Sequence, residues 1–219
     1  MKTHPTPSLP LQVDVLLFDL DNTIYPHNAG LWQEIDRRIQ LWVSKTLGIP
    51  LAEAHEVQYR YWREYGTTIM GLIAEHGIDP TPYLHFVHDV DLTPYLQPDP
   101  QLGTALAALP QRKAIFTNAT AVHARNVLAR LGILDQFSLL IGLDETGYIS
   151  KPHPLAYERC LSLLGVQPQQ CLFVEDSARN LEPARELGMI TALIGEPVNG
   201  TADFYLQRVE EVAHLIKTT

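Results

Sequence analysis

The chain has 219 residues, 46% of them hydrophobic and 19% charged, with a formal net charge of −9. That is enough apolar material for one large domain, or for a main domain with a smaller insert. The acidic balance excludes general attraction to a nucleic-acid polymer or an anionic membrane, so any phosphate recognition must come from a few placed cations and backbone donors.

The opening MKTHPTPSLPLQ is punctuated by proline and has no apolar signal core, and no later stretch reaches the roughly 18 apolar residues of a membrane helix. A soluble, cytoplasmic protein is expected. VDVLLFD, residues 13–19, is apolar and β-branched enough for a buried parallel strand, with DNTIYP as the loop after it. From His27 to Pro98 no comparable strand follows. AGLWQEIDRRIQLWVSKTLGI carries apolar residues at Leu31, Ile35, Ile39, Trp42, Val43 and Leu47, and LAEAHEVQYRYWREYGTTIMGLIAEHGI continues the helical pattern. TPYLQPDPQ is a proline-rich return linker.

Beyond it the pattern becomes regular. KAIFTNA, CLFVEDS, TALIGEP and FSLLIGLDE are short apolar runs that end in polar residues. They alternate with amphipathic stretches such as AVHARNVLARLGI and PLAYERCLSLLGV, several of which end in glycine. Strand, polar turn and helix in repetition predict an α/β fold with a parallel sheet and right-handed crossovers. Cys160 and Cys171 sit among apolar residues and are expected to be buried free thiols.

In open parallel sheets the loops beyond the carboxyl ends of the strands converge. Asp19 and Asp21, Thr117 and Asn118, and Glu175, Asp176 and Ser177 should therefore meet, joined by Lys151 from GYISKPHP. Two aspartates two residues apart repel one another and lose hydration on burial, which opposes ionisation of both. Crowded carboxylates without a His or Cys pattern favour a hard divalent ion, Mg²⁺ rather than zinc. That ion and Lys151 would keep the acids charged and give a positive field for a phosphoryl group.

FDLDNT, FTN, KP and VEDS, in that order, resemble the haloacid dehalogenase superfamily of aspartyl-phosphate hydrolases over nearly the whole chain. The resemblance implies a Rossmann-like core of residues 1–26 and 99–219, with a cap of the four-helix type at 27–98 after the first strand. It implies Asp19 as nucleophile, Asp21 as acid and then base, Thr117 and Asn118 as phosphate-binding residues, and Lys151 as both catalytic and phosphate-binding. Mg²⁺ would be held by Asp19, the Asp21 backbone carbonyl and Asp176. Glu175 is left between a ligand, often through water, and a helix-start acid. Where many members carry a second acid after the metal-binding aspartate, this chain has Asn180.

YWREYGTTIMGL with the following HGIDPTPYLHFVHDVDL resembles the cap of the pyrimidine 5'-nucleotidase subfamily. That likeness implies Tyr65, Thr67 and Thr68 as contacts to a base or ribose, with His88 and Asp89 on a segment that can face the cleft. The expected function is a Mg²⁺-dependent phosphomonoesterase acting on a small phosphorylated metabolite, with a pyrimidine nucleoside 5'-monophosphate favoured. The alternatives are a phosphatase for a sugar or cofactor phosphate, a sugar-phosphate mutase, a 2-haloacid dehalogenase and a non-enzymatic phospho-receiver. Trp32, Trp42 and Trp62 are expected to pack within the cap, and His27, His76, His85 and His88 to be polar surface or cap residues.

Overall fold

The computed structural model describes residues 7–198 and 200–216. Six parallel strands form one sheet: β1 (Val15–Phe18), β2 (Arg112–Phe116), β3 (Leu139–Ile141), β4 (Cys171–Glu175), β5 (Ile190–Ile194) and β6 (Phe204–Leu206), in the spatial order β3-β2-β1-β4-β5-β6. β1 is central and pairs with β2 on one side and β4 on the other. All four of its residues are buried, because both faces of the sheet are covered.

The period of two along each strand sorts the core into two layers. Leu16, Phe18, Ile115, Leu172 and Val174 face one apolar cluster, with the inner faces of α5 (Pro100–Ala107) and α6 (Ala121–Leu131). Val15, Leu17, Ala114, Phe116, Cys171 and Phe173 face the other, with α7 (Pro154–Leu164) and α8 (Ala178–Leu187). The result is the α/β fold with a parallel sheet expected from the sequence, with helices on both faces. β6 has no counterpart in that reading: it is three residues long, and only its pairing with β5 makes it a strand. Cys160 and Cys171 are buried and unpaired, as expected.

The interval between β1 and α5 holds four helices: α1 (Leu31–Leu47), α2 (Leu51–Tyr65), α3 (Thr68–His76) and α4 (Pro80–His88). Leu31, Ile35, Ile39 and Val43 form the buried stripe of α1 at four-residue spacing. The stretch from Leu51 to Ile78, read as continuing helical pattern, is cut at Gly66, where φ is +88°. A side chain there would be strained by that φ and would also strike the Pro152 ring 2.9 Å away and the Lys151 carbonyl 3.0 Å away. Thr67 then caps α3 by accepting from the Met70 N–H. Gly71 lets α3 lie against Tyr61 of α2, since a Cβ would come within 2.2 Å of that ring. Among the described residues, no helix is long and apolar enough to cross a membrane.

Candidate active site

β1, β2 and β4 end side by side, and the chain turns polar at each end. Asp19 follows the last residue of β1 and is anchored by its N–H donating to the Val174 carbonyl at 2.9 Å. Thr117 follows β2 and Glu175 closes β4. Lys151 enters from the loop before α7 and is almost wholly buried. Its Nζ donates to Asp19 Oδ1 at 2.6 Å, to Glu175 Oε2 at 2.7 Å and to the Phe116 carbonyl at 2.8 Å. All three N–H groups of the ammonium are therefore used, and one cation stands between two buried carboxylates.

Asn118 fixes that lysine. Its Oδ1 accepts from the Lys151 N–H at 2.8 Å and its Nδ2 donates to the Lys151 carbonyl at 3.1 Å. The side chain of Asn118 is thus spent on holding Lys151, so the phosphate contact expected of this residue falls to its backbone. Thr117 Oγ1 accepts from the Ala119 N–H at 3.0 Å, which leaves its own O–H to donate into the cavity it lines.

The electrostatics follow from burial. Burial, reinforced by Glu175, pushes the Asp19 carboxyl up to about 7 against the pull of Lys151. Burial also lifts Glu175 to about 7, opposed by Lys151 and assisted by Asp176, and Asp176 is raised by burial and by Asp19. Lys151 moves up despite burial, because Asp19 and Glu175 favour its charged form. One lysine does not satisfy three acids, so the cluster is short of positive charge.

Asp19, Glu175 and Asp176 each offer a carboxylate oxygen, the three lying within 4.8 Å of one another. An all-oxygen donor set with net negative charge fits Mg²⁺ and not a softer metal. Glu175 is the poorest candidate for direct contact, since Lys151 occupies one oxygen and the Ser177 N–H donates to the other at 3.1 Å. Asn180 lines the same cavity, with its backbone carbonyl taken by the Tyr157 hydroxyl.

Asp21 is held differently. Tyr25 donates its hydroxyl to Asp21 Oδ1 at 2.5 Å, and His123 Nε2 lies 3.4 Å from the same oxygen. Burial works to raise Asp21, but the His123 and Tyr25 contacts outweigh it and hold the carboxyl below its usual range. Oδ2 takes neither contact. His123, near the start of α6, stacks on His88 of the cap with ring centroids 4.5 Å apart. His88 therefore lies against the carboxylate end of the core, where burial holds its imidazole down at about 3. Neither Tyr25 nor His123 was singled out from the sequence. Only the fold brings His123, 102 residues away, to Asp21.

Above these groups, core and cap enclose a cavity of about 540 Å³. Thr67, Thr68 and His88 line it, and so do Trp32, Tyr59 and Trp62. Tyr65 does not: its hydroxyl donates to Glu75 at 3.0 Å and its ring packs on Tyr61, because α2 turns that face away from the core. Asp89 caps the end of α4, is exposed and is not in the lining. Trp42 packs on Tyr83 and Phe86 inside the cap. Arg179, three residues after Asp176, ties core to cap by donating to the Trp62 and Arg63 carbonyls at 2.8 and 2.9 Å.

The chain is similar in sequence and in fold to known proteins. Phosphate metabolism protein 8 of Saccharomyces cerevisiae is 29% identical over 80% of this chain, and the chain spans 59% of its length. A phosphoglycolate phosphatase of Pectobacterium atrosepticum is 30% identical, over 79% of this chain and 76% of its own. A glyceraldehyde 3-phosphate phosphatase of Methanopyrus kandleri is 27% identical over 94% and 97%. In fold, the chain superposes on a HAD phosphatase from Thermococcus onnurineus with a TM-score of 0.66 at 22% identity, covering 94% of this chain and 99% of that one. The L-2-haloacid dehalogenase of Xanthobacter autotrophicus gives 0.58 at 19% identity, over 93% and 98%. A family model of haloacid dehalogenase-like hydrolases matches residues 13–188. With that match spanning most of the chain and the Asp19, Thr117, Lys151 and Asp176 loops meeting at one end of the sheet, the chain belongs to the haloacid dehalogenase-like hydrolases.

Proposed function

We propose that this protein is a Mg²⁺-dependent phosphomonoesterase working through an aspartyl-phosphate, with a pyrimidine nucleoside 5'-monophosphate as its preferred substrate. The observation that carries the chemistry is the pairing of Asp19, fixed by Lys151, with Asp21, whose Oδ1 is held by Tyr25 and His123 while Oδ2 is left over.

Asp19 attacks phosphorus through a carboxylate oxygen, and the bond from phosphorus to the ester oxygen breaks. Asp21, ionised in the free site, must take up a proton as the phosphate dianion binds beside it, and it gives that proton to the departing oxygen. A water then attacks the aspartyl-phosphate and loses its proton to Asp21, which frees inorganic phosphate and restores Asp19. Lys151 keeps Asp19 ionised and aimed, while the Thr117 hydroxyl donates to a phosphoryl oxygen. Asp19, Asp176 and the Asp21 carbonyl, with Glu175 beside them, would hold Mg²⁺, which would supply positive charge against the phosphoryl oxygens. The cap excludes bulk water from the acyl phosphate.

Several features support ester hydrolysis over the relatives' other chemistry. Halide displacement needs neither an acid for the leaving group nor a carboxylate cluster for a metal, and this site has both. The relatives named above as phosphatases act on small phosphate esters, in line with this reading. The nucleotide preference rests on the cap likeness, on the size of the cavity, which suits a nucleotide-sized ligand, and on the Trp32, Tyr59 and Trp62 rings in its wall. The test is phosphate release from p-nitrophenyl phosphate with Mg²⁺ or EDTA, followed by UMP and CMP against unrelated esters. Turnover in EDTA, or full activity in Asp19→Asn, overturns the mechanism. UMP and CMP turned over no faster than unrelated esters overturn the substrate.

A further inference from the structure

The cap side of the cavity contains a polar pair that the chemistry does not use. Gln58 of α2 is nine-tenths buried, and its Nε2 donates to Asp36 Oδ1 of α1 at 2.6 Å. Asp36 Oδ2 accepts from Gln40 at 2.8 Å. Both Asp36 and Gln58 line the cavity, and Gln58 Oε1 has no hydrogen-bond partner. The carboxylate fixes the amide, because flipping it would set Oε1 against Asp36 Oδ1. The unpaired atom is thus an acceptor by construction, and a buried acceptor without a partner is destabilising until something donates to it. Asp36 has amide partners, and among the described residues no Lys, Arg or His forms a salt bridge with it. The one guanidinium among the described lining residues, Arg179, is engaged with backbone carbonyls.

We infer that Asp36 and Gln58 form the subsite that reads the leaving group: it takes an uncharged group that presents an N–H or O–H donor to Gln58 Oε1, and it refuses one that carries a second anion. This rests on the phosphomonoesterase reading and narrows its substrate class. A base with an imide or amino N–H, or an uncharged sugar, completes the acceptor. A leaving group ending in a carboxylate brings a like charge to Asp36 and leaves Oε1 unpaired.

The experiment uses two matched substrate pairs on the full chain with Mg²⁺. The first is UMP against UMP methylated at the ring imide nitrogen, which removes one donor. The second is glucose 6-phosphate against 6-phosphogluconate, which adds a distal carboxylate. Expected is a preference of about tenfold or more in kcat/KM for the donor-bearing member of the first pair and the uncharged member of the second. Gln58→Leu should collapse the first preference and Asp36→Asn the second, with circular dichroism and thermal melting as the check that each variant is folded.

Equal rates within both pairs for the wild-type enzyme, or preferences that survive both substitutions, overturn the subsite. If the sugar pair discriminates as expected while neither nucleotide is turned over, the nucleotide preference falls and the subsite stands. If no ester is hydrolysed, p-nitrophenyl phosphate included, the phosphomonoesterase reading falls and the subsite with it.

Discussion

The catalytic end of the core and the inner wall of the cap treat polar groups in opposite ways. In the core, Lys151 spends every N–H on Asp19, Glu175 and the Phe116 carbonyl, and Asn118 clamps the lysine backbone from both sides. In the cap, Gln58 Oε1 and His88 Nδ1 are buried without a partner beside aromatic walls. A site that must act on any phosphoryl group can be completed in advance, because its target is constant and preorganised dipoles act without rearrangement. A recognition wall is completed only by its ligand, and unsatisfied groups there are the price of selectivity.

That contrast can be broken most forcefully at the core. Asp19→Asn removes the proposed nucleophile and is expected to lower kcat by about 10⁴-fold or more, measured as phosphate release, with circular dichroism unchanged. Asp21→Asn should follow within about tenfold of it for alkyl esters, which need a proton on the leaving oxygen. Lys151→Met leaves Asp19 and Glu175 buried without their cation. It should abolish turnover and cost about 3–5 kcal/mol in urea unfolding, whereas a stability loss below about 1 kcal/mol would show that the three charges are not mutually dependent.

The same shortage of positive charge makes stability depend on pH. Asp19 rises from 3.8, and Glu175 from 4.5, to about 7 on folding, so the metal-free native state binds more protons than the unfolded chain between those limits. Stability should therefore fall as pH climbs from about 4 to 7, and Mg²⁺ should flatten the fall by favouring the ionised acids. Asp21 is shifted down and acts the other way, losing its contribution as pH drops below its ordinary value. Thermal melts at several pH values, with and without Mg²⁺, measure the difference. A Tm independent of pH across that window without metal would contradict the crowded-carboxylate account.

Smaller effects should mark the border between the two regions. His123→Phe keeps the stack on His88 but removes the contact to Asp21 Oδ1. It is expected to lower kcat about tenfold for an alkyl phosphate and less for p-nitrophenyl phosphate, whose leaving group needs little protonation. Equal losses on both substrates would make His123 a packing residue only. Arg179→Ala, which unties α8 from the end of α2, should raise KM a few-fold with kcat nearly unchanged.

The sequence carried the core well, for a local reason. A strand buried on both faces must be a short apolar run, and the residue after it must leave the sheet, so FDLDNT, IFTN and FVEDS each announce a strand end and a polar loop together. Parallel order then obliges those ends to meet. Asp19, Thr117, Lys151, Glu175 and Asp176 were legible from that logic before any coordinate. The cap was legible as helices and not as a wall: one residue of rotation at Gly66 decided that Thr67 and Thr68 face the cavity while Tyr65 turns to Glu75.

What the sequence determined by itself is the α/β class, the inserted helices and the catalytic loops, because strand burial and helical periodicity act between near neighbours. Tertiary structure alone decided that β6 is a strand, that Asn118 serves Lys151, that His123 and Tyr25 hold Asp21, and that Gln58 Oε1 is buried without a partner. Each of those depends on a contact between residues whose positions are set by packing, and a hydrogen bond's direction cannot be read from the spacing of its partners along the chain.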